Sequence, residues 1–460
     1  MLDNIRWDAG LIHRYDTPGP RYTSYPTAVQ FTHRVGSFDM LHALRDSRKA
    51  RRPLSLYVHV PFCANICYYC ACNKVITKDR GRALPYLEHL EREIELLACH
   101  LDPQQKVEQL HFGGGTPTFL SHDELRRLMG HLRKHFSLLD DDSGDYGIEI
   151  DPREADWSTM GLLRELGFNR VSLGVQDLDP AVQRAVNRLQ SLEETRAIVE
   201  AARTLQYRSL NLDLIYGLPK QNPESFARTV DEVIALQPDR LSVFNYAHLP
   251  DRFMPQRRIR SEDLPSPGQK LEMLQRSIEQ LSAAGYRYIG MDHFALPDDD
   301  LAIAQEDGSL QRNFQGYTTH GHCDLIGLGV SAISQIGDLY CQNTVQLNDY
   351  QGALGQDLLA INRGLMCDED DRIRRAVIQQ LICAFELDFA SIETRFSIEF
   401  RGYFADIWPQ LQQMSEDRLI DLSDGRIDVL PAGRLLVRSL CMLFDNYLAG
   451  QNQQRFSRVI

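Results

Sequence analysis

Three things are missing from this 460-residue sequence, and each absence removes a class of protein. No apolar run is long enough to span a bilayer. Residues 53–73 carry no formal charge, but proline, histidine, asparagine and clustered cysteine interrupt them, which fits a buried site. No leader is expected either, because MLDNIRWDAGL does not read as a basic region followed by an apolar core. The expectation is a cytoplasmic chain, free of the membrane, whose thiols stay reduced. Positive charge is short as well, with 50 Lys and Arg against 63 Asp and Glu, so the formal net charge is −13. Such a chain repels the phosphate backbone, and no nucleic-acid partner is expected. An anionic small substrate stays open, because fields are screened beyond about 8 Å at physiological salt and local arginines decide. What remains is a 43% hydrophobic chain of a length that suggests two or three domains, enough for a sizeable core.

The stretch Leu56 to Lys74, LYVHVPFCANICYYCACNK, holds four of the ten cysteines: Cys63, Cys67, Cys70 and Cys72. The first three are spaced C-x3-C-x2-C and follow a β-branched and aromatic run that reads as a buried strand leading into a loop. Disulfide frameworks belong to small secreted chains, and ordinary buried cysteines do not crowd four into ten positions. Structural zinc usually draws on two cysteine pairs a dozen or more residues apart, although a zinc site with Cys72 as fourth ligand stays open. Three thiolates on one loop can instead hold three corners of an iron-sulfur cube, leaving one iron free for another ligand. In this the stretch resembles the radical S-adenosylmethionine enzymes. The resemblance implies that the open iron chelates the amino and carboxylate groups of S-adenosylmethionine, with Tyr69 against its adenine.

From about 54 to 290, short apolar runs alternate with amphipathic helical patterns, as a parallel α/β architecture requires. Strands are expected at 56–60, 108–112, 147–151, 170–174, 210–215 and 240–244, with a weaker one near 286–290. Leu84, Leu87, Leu90, Ile94 and Leu97 keep helical spacing, as do Leu125, Leu128, Met129 and Leu132. Ser121 with Glu124, and Ser191 with Glu194, read as capping boxes, and Pro223 after Asn222 opens another helix. This pattern does not order the strands, so a barrel and an open doubly wound sheet stand level. Before them, residues 1–50 form a polar lead-in with YDTPGPRYTSYPTA (Tyr15 to Ala28), an irregular arm that either packs on the body or covers an active-site mouth. Residues 249–268 carry four prolines and the basic run Gln256 to Arg260, which reads as a solvated loop. From about 352, strand signals thin and 370–383, 389–404 and 434–448 read as helices. LIDLSDGRIDVL (Leu419 to Leu430) reads as a hairpin wing on a packing domain, because no basic helix accompanies it.

Further motifs sit at the strand ends. HFGGGTPT, His111 to Thr118, has three glycines where backbone can approach a ligand closely, and lacks the Lys-Ser/Thr ending of a nucleoside-triphosphate loop. Gly327, Gly329 and Ala332 in LIGLGVSAI imitate a dinucleotide fingerprint, but no clear helix and second strand follow. Glu149, Gln176, Arg188 and Asp213 place carboxylate, amide and guanidinium groups at or just beyond successive strand ends, where α/β folds gather their sites. Carboxylates suit ribose hydroxyls and an ammonium, and arginine suits a carboxylate, the groups that S-adenosylmethionine presents.

On GPRYTSYPTA, YVHVPFCANICYYCACNK with its extra Cys72, HFGGGTPT, EIDPRE, GVQD, DLIYGLP and NFQGYTTH, the chain resembles the oxygen-independent coproporphyrinogen III oxidase (dehydrogenase) family of anaerobic haem biosynthesis. Ala71 stands where glycine is common in that family. The resemblance implies an α/β fold: an incomplete parallel (β/α)6-type radical S-adenosylmethionine barrel over 51–350, preceded by an N-terminal arm, 1–50, and followed by a mainly helical C-terminal domain, 351–460. It implies a 4Fe-4S cluster on Cys63, Cys67 and Cys70, with Cys72 nearby but not a ligand. Two S-adenosylmethionine molecules are implied, the first lined by Tyr57, Tyr69, Gly114, Glu149 and Ile333. The second is lined by Gly115, Thr116, Gln176, Arg188, Asp213 and Ala247. Catalytic roles fall by the same resemblance to Cys72, Tyr57 and Arg21, the last as partner of a substrate propionate. The implied reaction turns two propionates of coproporphyrinogen III into vinyl groups, in a monomer reduced by a small protein such as flavodoxin or ferredoxin. The related radical S-adenosylmethionine haem chaperone is the alternative, and that family lacks the extra cysteine and the NFQGYTT string.

Overall fold

In the computed structural model, which describes residues 5–448, the expected strands are neighbours in space as they are in sequence. Strands β1 (Leu54–Val60), β2 (Lys106–Gly114), β3 (Asp145–Ile150), β4 (Arg170–Gln176), β5 (Ser209–Tyr216) and β6 (Arg240–Asn245) pair in that order, every pair parallel. On the other side of β1 lies β7 (Asp324–Leu328), also parallel, and then antiparallel β8 (Ile333–Ile336), β9 (Leu339–Asn343) and β10 (Ile361–Met366). The order from β1 to β6 never reverses, so there is no switch point of the doubly wound kind. Right-handed crossovers then put every helix on one face, and the sheet curls as an incomplete barrel.

Helices α1 (Ala83–Ala98), α2 (His122–His135), α3 (Trp157–Glu165), α4 (Leu192–Thr204) and α5 (Pro223–Ala235) form these crossovers. Ser121 and Ser191 close the two expected capping boxes, and Asn222 caps α5 ahead of Pro223. On α1 the buried line runs through Ala83, Tyr86, Leu87, Leu90, Ile94 and Leu97, while Leu84 is 43% exposed, one position off the inward stripe. The LIGLGVSAI string is an antiparallel strand pair, β7 and β8, with no helix between, so it is no dinucleotide turn. This unit comprises Phe31–Ser277 and His322–Met366. Within it Ser37–Ala50 is a helix that buries Met40, Ala43, Leu44 and Ser47 on one side, where the sequence reads as an irregular arm.

The other unit holds the described residues of Met1–Gln30, Ile278–Gly321 and Cys367–Ile460. Its centre is the helix Glu369–Ala384. The expected helix over 389–404 is two pieces, Phe389–Phe396 and Phe400–Tyr403, because Ser397 turns left-handed (φ +56°) and Glu399 caps the second piece. Similarly, 434–448 is a 3-10 turn, Arg434–Leu436, followed by a short helix, Val437–Leu443. The expected hairpin forms from Ile420–Leu422 and Arg426–Val429 and gains a third strand, Glu386–Asp388. Buried Arg438 donates to the carbonyls of Gly19 and Pro20, and Tyr22 donates to Asp445 at 2.9 Å. Among the described residues, no helix is long and apolar enough to cross a membrane.

Candidate active site

Past β1 the chain makes a short parallel pair, Phe62–Cys63 with Val75–Ile76, so the residues between form a loop pinned at both feet. Val75 donates to the Pro61 carbonyl (2.7 Å) and Thr77 to that of Cys63 (3.0 Å). Inside the loop, the Cys70 N–H meets the Cys67 carbonyl at 3.2 Å and the Tyr68 N–H meets the Val186 carbonyl at 2.9 Å. Tyr68 and Tyr69 pack on an apolar cluster of Val182, Val186, Leu218, Tyr246 and Ile259. Ile259 belongs to the basic run read as a solvated loop, and so does Gln256, only 1% exposed. The Gln256 amide donates to the carbonyls of Tyr69 (3.0 Å) and Ala247 (3.3 Å) and accepts from the Leu249 N–H (2.6 Å). The run is therefore a 3-10 turn, Met254–Arg258, with arginines outside and Gln256 and Ile259 driven inward as a brace for the cysteine loop.

At the end of β2 the glycines make room chiefly for the chain itself. Gly114 has φ +112°, and a Cβ there would lie 2.5 Å from the His59 ring. A Cβ on Gly115 would lie 2.7 Å from the Phe62 carbonyl oxygen. With that space clear, Gly115 and Thr116 donate to the carbonyls of Val60 and Phe62 (2.8 Å each), and the Thr116 hydroxyl reaches the Cys63 sulfur at 3.5 Å. The two motifs are thus one structure, the glycine strand clasping the base of the cysteine loop.

A cleft of about 170 Å³ opens where these strand ends meet the loop. Cys63, Cys67, Cys70 and Cys72 line it together with Tyr69, Gly114, Gly115, Thr116, Glu149, Gln176, Arg188 and Asp213. Tyr57, Ala247 and Ile333 lie outside that lining. Tyr57 stacks on His111 (6.1 Å between ring centres) and contacts the His59 ring at 3.1 Å, Ala247 is braced by Gln256, and Ile333 opens β8. Arg21 belongs to the other unit, where it pairs with Asp292 at 2.6 Å. Sequence reasoning passed over Asp151 and Arg153 in the EIDPRE string, and Gln256. Asp151 receives Arg188 (2.9 Å) and Arg153 (2.6 Å), and both guanidinium groups extend to the Cys67 sulfur, at 3.6 and 3.8 Å.

The charges follow from this packing. Burial alone would raise Asp151, but Arg188 and Arg153 outweigh it and hold the carboxyl down at about 2. Glu149 is likewise kept below the usual carboxylate range despite burial, by His111 and the Gly114 N–H. Asp213, under Ser172 and Asn211, is pushed up to about 6 by burial. Among the thiols, burial lifts Cys63 to about 11. Cys70 falls to about 6 through a hydrogen bond with Cys72 and the nearby Lys74, and Cys72 rises in return.

Residues 57–233 match the model of the radical S-adenosylmethionine superfamily, and residues 367–436 match the HemN C-terminal domain. An oxygen-independent coproporphyrinogen III oxidase of Pseudomonas aeruginosa is 77% identical over 460 residues, covering all of both chains. One of Escherichia coli is 50% identical, again over the whole of both. The chain belongs to the oxygen-independent coproporphyrinogen III oxidase family. A solved member, the Escherichia coli coproporphyrinogen III oxidase described as a radical SAM enzyme, superposes with TM-score 0.92 at 49% identity, covering 96% of this chain and all of that one.

Membership of the superfamily implies a 4Fe-4S cluster and S-adenosylmethionine. The donor set of this family member fits them. A single zinc would need its ligand atoms about 4 Å apart, yet among the described residues the cysteines form no group of three with donor atoms within 4.8 Å of one another. Thiols set more widely around a cleft suit the corners of a larger cluster, and the hydroxyl and guanidinium donors at Cys63 and Cys67 suit bound thiolates. On the far wall the Gln176 amide oxygen and the Arg188 Nε are buried without a partner, and Gln176 holds φ +68°. Unsatisfied, strained groups of this kind mark a place prepared for a ligand.

Proposed function

We propose that this chain carries out the anaerobic oxidative decarboxylation of two propionate side chains of coproporphyrinogen III, giving the vinyl groups of protoporphyrinogen IX. The observation that carries this reading is the joining of the pinned C-x3-C-x2-C loop to the ends of β2 to β5 around one cleft that Cys72 also lines. Cys63, Cys67 and Cys70 would hold the 4Fe-4S cluster. When bound, it supplies one electron that cleaves the sulfonium of S-adenosylmethionine to methionine and a 5′-deoxyadenosyl radical.

The residues of the chain set where that happens. Tyr69, braced through Gln256, offers a face for the adenine, while the low-lying Glu149 offers a carboxylate for the ammonium. Gln176 and Asp213 offer acceptors for ribose hydroxyls. Arg188 and Arg153 donate toward Cys67 and offset its thiolate charge. Each vinyl group requires one hydrogen atom removed from a propionate β-carbon, loss of carbon dioxide, and removal of one electron by an acceptor. Two such events need two molecules of S-adenosylmethionine. We assign the first to the Tyr57, Tyr69, Gly114, Glu149 and Ile333 side and the second to the Gly115, Thr116, Gln176, Arg188, Asp213 and Ala247 side. Cys72 lines the cleft but stands outside the ligand triad, and Cys72, Tyr57 and Arg21 are proposed to serve the porphyrinogen. A small reducing protein of the flavodoxin or ferredoxin type, a monomeric state and a cytoplasmic location complete the proposal.

The test is an anaerobic reconstitution with iron, sulfide, a reductant, S-adenosylmethionine and coproporphyrinogen III. Protoporphyrinogen and 5′-deoxyadenosine are expected together. Tight haem binding with no turnover would favour the haem-chaperone reading instead.

A further inference from the structure

We infer that Glu95, His131 and His135 form a second metal site, for a divalent ion of the zinc type, on the outer face of the barrel. His131 and His135 stand one helical turn apart near the end of α2, with ring centres 4.6 Å apart. Residues four apart share a helix face, the arrangement in which paired histidines take zinc. Glu95 reaches them from α1, its Oε1 3.7 Å from His131 Nε2. One donor atom from each of the three lies within 4.8 Å of the others. Donors on a tetrahedral zinc ion stand about 3.4 Å apart, so small side-chain rotations close the site.

Two further observations point to a ligand. The His135 Nε2 is buried and has no hydrogen-bond partner, the condition of a lone pair or proton awaiting an ion or water. Glu95 is also oriented: Arg92 holds its Oε2 at 2.8 Å, which leaves Oε1 turned to the histidines, as an outer partner orients a metal-binding carboxylate. His131 Nε2 donates to the Glu91 carbonyl (3.2 Å) and would give up that proton and contact to the ion. Two imidazoles and one carboxylate make a nitrogen and oxygen set suited to zinc, with a fourth position left to water.

The crossover helices run opposite to the strands, so the far ends of α1 and α2 lie at the amino-terminal end of the barrel, away from the cysteine cleft. In such barrels that end serves stability, and an ion there would staple two neighbouring crossovers. The site is independent of the proposed reaction.

The test uses full-length protein with its iron-sulfur cluster reconstituted, desalted and titrated anaerobically with zinc chloride. One zinc per chain is expected, with an X-ray absorption shell of nitrogen and oxygen at about 2.0 Å, imidazole scattering and no sulfur. Melting temperature should rise by a few degrees at saturating zinc. His135→Gln and, separately, Glu95→Gln should each weaken zinc binding at least ~10-fold, with iron content and circular dichroism unchanged. A sulfur shell would overturn the inference, placing zinc on the cysteine loop or on the Glu108, His322 and Cys323 group. Unchanged zinc affinity in both variants would overturn it as well.

Discussion

Gln256 should matter far more than its place in a proline-rich basic run suggests. Gln256→Leu keeps the volume of the side chain but removes a donor shared by the Tyr69 and Ala247 carbonyls and the acceptor for the Leu249 N–H. All of this happens at a position 1% exposed. The stranded N–H costs about 1–3 kcal/mol, and the two carbonyls, each with a second lone pair, add less. A total of about 3 kcal/mol corresponds to a drop of about 5 °C in the melting temperature of a unit this size. Because the bond at 3.0 Å fixes the Tyr69 backbone, KM for S-adenosylmethionine should rise about tenfold while iron content stays constant. Gln256→Glu should be at least as damaging, since a carboxylate cannot donate to either carbonyl. Differential scanning fluorimetry and anaerobic 5′-deoxyadenosine release measure both effects. A melting point within a degree of the parent, with unchanged KM, would show that the brace is not what holds the loop.

Serine at Cys63, Cys67 or Cys70 should each abolish iron retention after anaerobic reconstitution, whereas Cys72→Ser should keep the iron and lose porphyrinogen oxidation. Loss of iron in the Cys72 variant would restore a four-cysteine site. Asp213 has a folded-state pKa near 6 against an ordinary value near 4, so the folded chain binds more protons than the unfolded one in between. Stability should therefore fall as pH rises from about 4 to about 6, S-adenosylmethionine affinity should improve through the same window as the carboxylate forms, and Asp213→Asn should flatten both profiles. Arg438→Met removes the donors that hold the Gly19 and Pro20 carbonyls at a cost of about 2 kcal/mol, and limited proteolysis within Tyr15–Ala28 should quicken by about 30-fold. Unchanged cleavage would mean that other contacts hold the segment.

How much of this was legible in the sequence depended on whether local pattern or distant packing decided each feature. Strands β1 to β6 declared themselves within a few residues, because buried parallel strands are short apolar runs bounded by turns. Capping boxes at Ser121 and Ser191 were equally plain, since the signal and the structure lie three residues apart. The order of the strands was invisible to periodicity and came only with family resemblance. The cysteine spacing identified the loop, but the glycines of HFGGGTPT were read as space for a ligand when Gly114 and Gly115 first clear His59 and the Phe62 carbonyl. Burial of Gln256 among arginines follows from tertiary packing against Tyr69, which no local rule encodes. Asp151 drew no reading in the sequence: it caps a 3-10 turn by accepting from the Arg153 N–H, and its second role, between two arginines beneath Cys67, needed the fold. The third strand of the hairpin, Glu386–Asp388, was too short to show a period.

The claim at the centre is that a radical made beside the cysteine loop takes hydrogen from a propionate β-carbon. Coproporphyrinogen III deuterated at those carbons tests it directly, with the 5′-deoxyadenosine analysed by mass spectrometry after anaerobic turnover. One deuterium should appear in each 5′-deoxyadenosine released, with two 5′-deoxyadenosines for every protoporphyrinogen formed. Release of unlabelled 5′-deoxyadenosine alongside protoporphyrinogen would contradict the account.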